Sequence, residues 1–284
     1  MKKRKILFGT VLASLLLLIF PHESNAYGEL DRFDGQGMIN NVDYFYSNSA
    51  IFMNTLSETD LLAPGASLEF PKFSVKKANE FIGYSEHNRL FDLEGDHYTL
   101  EGVQYLTSVK NMEFRSFATD MRPLENLTNL ETLSLEQPLD SLDFLSNLIS
   151  LKAIDISATN VVNSWDEEKR DENLTVFTDL SVLNSLNKLE YFSLTNIDRL
   201  FVPVVLKKTM NKYSVVNPFI LPHQFDNGTV KIESSDRNFS FKDDILEWSS
   251  VSTDVKEFQI SWEFKSPNGK FIYNGKSVIP VYWK

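Results

Sequence analysis

The residues best suited to bind a metal or move a proton near neutral pH are four histidines, His22, His87, His97 and His223. No two of them stand at the H-x-x-x-H spacing that seats a metal from one helix; His22 lies near the basic, apolar start of the chain, and His87, His97 and His223 read as surface or cap residues. Cysteine is absent, which removes disulfides, thiolate metal sites and a nucleophilic thiol together. No Gly-rich phosphate loop, nucleophile elbow or H-E-x-x-H run occurs. The paired carboxylates Asp243 and Asp244 fall on an expected turn, where solvation accounts for their charge. Asn126, Asn173, Asn227 and Asn238 head Asn-x-Ser/Thr triplets, which matter only in a eukaryotic secretory pathway. The sequence therefore reads as a non-enzymatic chain with no cofactor and no metal, and the chemistry left to it is binding.

Composition narrows what is bound. The 284 residues are 42% hydrophobic and 24% charged, near globular averages, and 22 of them are phenylalanines that need burial. Lys and Arg number 28 against 39 Asp and Glu, a net charge of -11, which argues against nucleic acid and anionic lipid. Lys2 to Lys5 form a basic start, Ile6 to Phe20 an apolar run, and Ser24 and Ala26 the small residues of a cleavage site. Residues 1–26 are thus expected to be a secretory signal, too short in its apolar part for a bilayer span. That segment carries four positive charges and one negative, so the chain from Tyr27 falls from -11 to -14. No second apolar run could span a membrane. A thiol-free exported chain suits a Gram-positive bacterium, with the product released or held non-covalently at the cell surface.

The elements that would position binding residues come from a leucine ladder. Leu124, Leu127, Leu130, Leu133 and Leu135 set a rhythm that Leu142, Leu145, Leu148, Leu151, Ile154 and Ile156 repeat. Leu180, Leu183, Leu186, Leu189, Phe192 and Leu194 repeat it again, and Val103, Leu106, Val109, Met112 and Phe114 give a weaker first copy. The doublets 112/114, 133/135 and 154/156 are 21 residues apart, within the leucine-rich repeat range. The next interval, 154 to 192, is 38 residues and holds one repeat plus 17 extra. A helix bundle would also space leucines by three, but the alternating end of each unit, the fixed period and Pro123 and Pro138 favour stacked parallel strands. The Asn expected three places after the last strand leucine is replaced by Phe117, Pro138 and Thr159, so a side-chain amide ladder is largely missing.

The flanks differ. Val75 to Tyr84 is expected to form a cap helix with Val75, Ala78, Phe81 and Ile82 inward. Tyr44–Tyr46 and Ile51–Met53 are strands or core fillers. Residues 200–284 read as all-β, with alternation at Phe239/Phe241 and at Phe258, Ile260, Trp262 and Phe264. Asp226-Asn227-Gly228 and Pro267-Asn268-Gly269 mark turns, and Trp248 is a core residue. The insertion 163–176 sets Trp165 before a charged run and is either a solvated excursion or a partner-binding loop.

Leu100-Glu101-Gly102-Val103-Gln104-Tyr105-Leu106-Thr107 resembles the phrase that opens the repeats of bacterial internalins. The unit from Leu124 to Leu135 resembles their repeat with one residue deleted. Asp226–Thr229, Ile245–Trp248, Val255–Phe258 and Phe271–Val278 follow the order of the immunoglobulin-like domain fused to such repeats. The resemblance covers roughly residues 75 to 284. It implies an α/β leucine-rich repeat solenoid with an N-terminal cap, fused to an all-β immunoglobulin-like sandwich.

The expected organisation is a signal at 1–26, a cap segment at 27–98, about four repeats at 99–199 and the immunoglobulin-like domain at 200–284. The chain is expected to be a secreted, monomeric protein-binding module, and the resemblance implies a virulence-associated interaction with a host protein; a cell-envelope scaffold holding another bacterial surface protein is the alternative. Binding is expected on the concave strand face, where strand alternation turns side chains outward. Those are Glu113, Arg115, Thr132, Ser134, Glu136, Asp155, Ser157, Tyr191, Ser193 and Thr195, with Trp165 as a second aromatic anchor beside Tyr191. Four strands span only about 15 Å, so the neighbouring β region is expected to help.

Overall fold

The structure is a computed structural model that describes residues 43–47, 72–82, 89–90, 100–115, 118, 120–137, 139–158 and 176–284. Residues 39–284 form one compact unit. The signal, His87, His97, the strand candidate at 51–53 and most of the insertion, Trp165 included, lie outside the described residues.

The leucine spacing of three builds 3-10 turns. Short 3-10 segments cover Val103–Tyr105, Arg122–Leu124, Asp143–Asn147 and Ser181–Ser185. In the third, Leu145 N donates to Leu142 O, Leu148 N to Leu145 O and Leu151 N to Leu148 O, so each leucine amide bonds the carbonyl of the leucine before it. A 3-10 helix has three residues per turn, so a side chain at every third position stays on one side. Leu142 is 4% exposed and the other three are fully buried. The turns begin on a repeated cap, in which Asp120 Oδ1, Ser141 Oγ and Asp179 Oδ1 each accept from the amide two residues on. The Asp179 carboxyl is held below its usual range, first by the Ser181 side chain and then by this backbone bond.

Each turn feeds a strand: β4 (Asn111–Arg115), β5 (Thr132–Glu136), β6 (Ala153–Ala158) and β7 (Tyr191–Leu200). They pair in parallel with Met112, Leu133, Ile154 and Phe192 as direct neighbours, each 1% exposed or less. The doublets expected from the period are thus in register. Gln137 replaces the missing amide ladder. Fully buried, it donates from Nε2 to the carbonyl of Ala118 at 3.0 Å, tying one turn to the turn before it.

At the N-terminal end, β1 (Tyr44–Tyr46) pairs antiparallel with β2 (Lys72–Ser74), which runs into α1 (Val75–Glu80). Ser74 caps α1 by accepting from Lys77 N. Phe45 stacks on Phe73 and on Tyr105 of the first turn, with centroids 5.6 and 4.4 Å apart. The helix stops four residues short of the expected Tyr84. Ala78 is buried, but Ile82 lies beyond the helix and is 56% exposed.

Residues beyond 200 add β8 (Val204–Leu206), β9 (Lys212–Val216), β10 (Thr229–Glu233), β11 (Phe239–Lys242), β12 (Ile245–Ser249), β13 (Glu257–Lys265) and β14 (Phe271–Trp283). β14 lies parallel beside β7, β13 pairs antiparallel with β14, and β10 with β13. With β3 (Arg89–Leu90) beside β4 and β8 beside β14, these strands make one nine-stranded sheet in the order β10-β13-β14-β7-β6-β5-β4-β3. A three-stranded sheet, β11-β12-β9, packs Trp248 and Tyr213 on Phe258 of β13, with centroids 4.8 and 5.4 Å apart. Trp248 is a core residue; its indole N–H donates to Asp236 Oδ2, which also accepts from the Gln259 amide.

The α/β solenoid with a separate immunoglobulin-like sandwich is therefore incorrect. Strand dominates, α1 is the only α-helix among the described residues, and nine of the fourteen described strands form one mixed sheet rather than a closed solenoid. Two physical reasons account for this. Leucine every third residue suits 3-10 turns, whereas an α-helix would rotate successive leucines off the core. In addition, Phe271 and Tyr273 present the same doublet as Phe192 and Leu194, so β14 can cover the strand edge that β7 would otherwise leave open.

Candidate partner-binding face

The alternation that buries the doublets turns the intervening residues outward. Glu113 and Asp155 are exposed, Thr132, Ser134, Glu136, Ser157, Ser193 and Thr195 are half-buried, and Tyr191 is 39% exposed. Register sets them in rows. Glu113, Ser134, Asp155 and Ser193 are successive neighbours across β4 to β7, as are Arg115, Glu136, Ser157 and Thr195. The Arg115 side chain and the whole of Trp165 lie outside the described residues.

A shallow depression of about 230 Å³ opens on this face, with side chains of Glu113, Thr132, Ser134, Asp155 and Tyr191 at its rim. The structure thus brings five of the eleven expected residues to one place. Two further members, Asn111 and Ala153, escaped the sequence reading. They stand one pair-step before the doublets, a position that alternation also turns outward. Thr132 Oγ1 donates to Asn111 Oδ1 at 2.7 Å and fixes that rim. Neither Glu113 nor Asp155 has a hydrogen bond or ion pair from its carboxylate among the described residues.

Beside the face, the residues leading into the strands carry a second ladder. Glu131 forms ion pairs with Lys110, at 2.9 Å, and with Lys152, from the same position of the neighbouring repeats. Hydrogen bonds from Lys152 and then Lys110 hold the Glu131 carboxyl down at about 2. Glu190 adds to the field that raises the Lys152 ammonium, after the dominant effect of Glu131. The backbone is locked at the same level: the carbonyls of Lys110, Glu131 and Lys152 each accept from two amides of the next repeat. The rim residues therefore stand on a fixed base.

Among the described residues, the remaining candidates do not assemble into a second centre. The exposed His223 ring contacts Asn184 through Nδ1 at 2.8 Å. Asp243 and Asp244 have φ of 51° and 62°, and occupy the tight turn between β11 and β12. Among the described residues, no group of three His, Asp or Glu could hold a metal ion, and no helix is long and apolar enough to cross a membrane.

No family profile matches this chain, and no curated protein matches it. Solved structures resemble parts of it. Internalin C2 of Listeria monocytogenes is 20% identical over 38% of this chain and 41% of that one, with a TM-score of 0.28. The functional domain of InlJ from Listeria monocytogenes is 16% identical over 67% and 52%, with a TM-score of 0.25. A Clostridium perfringens ZmpB structure, of CBM51-2 in complex with GlcNAc and INT domains, is 15% identical over 55% and 31%, with a TM-score of 0.32. The chain spans about half or less of the length of each, and the likeness is partial.

Proposed function

We propose that this chain is a non-enzymatic protein-binding module, exported by a Gram-positive bacterium, whose partner docks on the outward face of β4 to β7. The observation that carries the reading is the depression rimmed by Glu113, Thr132, Ser134, Asp155 and Tyr191. A half-exposed tyrosine ring beside two carboxylates that have no partner among the described residues, on a hydrogen-bonded sheet, is the composition of a hot spot that receives a basic side chain. The carboxylates also steer a basic partner toward the face in a chain of net charge -11.

The basic signature at residues 2–5, the apolar run after it and Ser24/Ala26 support export. The resemblance of Leu100–Thr107 to the internalin repeat opening favours a host protein as the target. The test is capture with immobilised chain from host-cell lysate and, separately, from bacterial envelope extract, each beside the Tyr191→Ala chain. A host protein retained by the parent and lost by Tyr191→Ala supports the reading. Retention only from the envelope extract assigns a scaffold role instead, and equal retention by both chains removes the face from the mechanism.

A further inference from the structure

The outward rows do not stop at β7. In β14, Ile272 pairs with Ser193 and Asn274 with Thr195. The rows then run on through Lys265 and Glu263 of β13 to Thr229 and Lys231 of β10. One row is thus continuous from Glu113 to Thr229 and a second from Arg115 to Lys231. Seven strands at about 4.8 Å place the outer two about 29 Å apart, roughly double the span of β4 to β7 alone. A second depression, of about 360 Å³, lies on this extension, bordered by Lys231, Glu233, Ser261, Glu263, Asn274 and Lys276.

The charge changes along the rows. Over β4 to β6 the carboxylates of Glu113 and Asp155 have no ion pair among the described residues. Over the extension, Lys231 pairs with Glu233 at 2.8 Å and Lys265 with Glu263, while the exposed Lys276 has no ion pair among the described residues. The strand geometry sets Lys276 about 16 Å from Asp155 and about 23 Å from Glu113. A stable interface needs roughly 800 Å² per partner, well beyond what four short strands present.

We propose that β14, β13 and β10 complete the docking face, and that its occupant is a folded protein presenting basic side chains to Glu113 and Asp155 and a carboxylate to Lys276. The inference rests on the partner-binding reading of β4 to β7. It adds a second, oppositely charged half that fixes the partner's orientation.

Two peptides test it on the full chain at low ionic strength, followed by amide chemical shifts. One is tetralysine; the other joins four lysines to four glutamates through an eight-residue Gly-Ser linker, whose reach of about 16 Å matches the Asp155–Lys276 separation. Tetralysine is expected to shift amides around Glu113, Ser134 and Asp155. The two-block peptide is expected to shift Asn274 and Lys276 as well, and to bind at least about fivefold tighter. Lys276→Gln is expected to return it to the tetralysine affinity. Equal affinity of the two peptides, or a two-block advantage that survives Lys276→Gln, overturns the extension and leaves the β4–β7 reading standing. Tetralysine shifts confined to other surfaces overturn the β4–β7 reading itself.

Discussion

Replacing Leu133 with Ala tests whether the rim is carried by the buried rows beneath it. Leu133 is 1% exposed, the second residue of β5, between Met112 on one side and Ile154 on the other. Removing three carbons from such a site loses their transfer energy and leaves a cavity that the flanking strands cannot close, because their backbones are fixed by ladder bonds and by the carbonyls of Lys110 and Glu131. The expected cost is about 3 kcal/mol. For a compact unit of this size that lowers the melting temperature by about 6–12 °C. Urea unfolding followed by fluorescence gives the difference directly, provided the m-value stays that of the parent. Ser134→Ala, one residue along and turned outward, is expected to stay within about 0.5 kcal/mol. A Leu133→Ala loss below 1 kcal/mol, or a Ser134→Ala loss as large, would refute the assignment of the two faces.

Other outcomes follow from single contacts. The Glu131 carboxyl titrates near 2 instead of its ordinary 4.5; having a folded value below the unfolded one, it stabilises the fold above about 4.5 and loses that contribution as pH falls toward 2. Carboxyl NMR titration checks the midpoint, which Lys152→Ala is expected to raise. Gly228→Ala is expected to destabilise by about 1–3 kcal/mol, since a Cβ there would sit 2.0 Å from the carbonyl oxygen of Lys265, measured by thermal melting. Once the partner is in hand, Tyr191→Ala is expected to weaken its binding by more than about 1 kcal/mol by calorimetry, with the melting temperature unchanged.

What the sequence reveals here is what repeats locally. The 21-residue period and the apolar-x-apolar doublets define both the register from Met112 to Phe192 and the outward residues between them, because strand alternation leaves no freedom once one face is buried. The nature of the connecting turns was readable in principle. Leucine at every third position, with Asp120, Ser141 and Asp179 as caps, is the period of a 3-10 turn rather than an α-helix. The joining of β14 to β7 was not. A parallel pairing across about 80 residues is decided by which strand best covers an open edge, and only the shared doublet Phe271-x-Tyr273 hints at it. Gln137 was missed because its amide reaches back to Ala118 from a position the repeat pattern gives no reason to inspect.

A partner is expected to meet the outward face of β4 to β7. A photo-crosslinking residue placed at Ser134 or Asp155, and in separate chains at the exposed turn positions Asn126 or Asn147, tests it most directly. The captured partner is expected to crosslink from Ser134 and Asp155 and not from Asn126 or Asn147; crosslinks from the turn positions alone would contradict docking on this face.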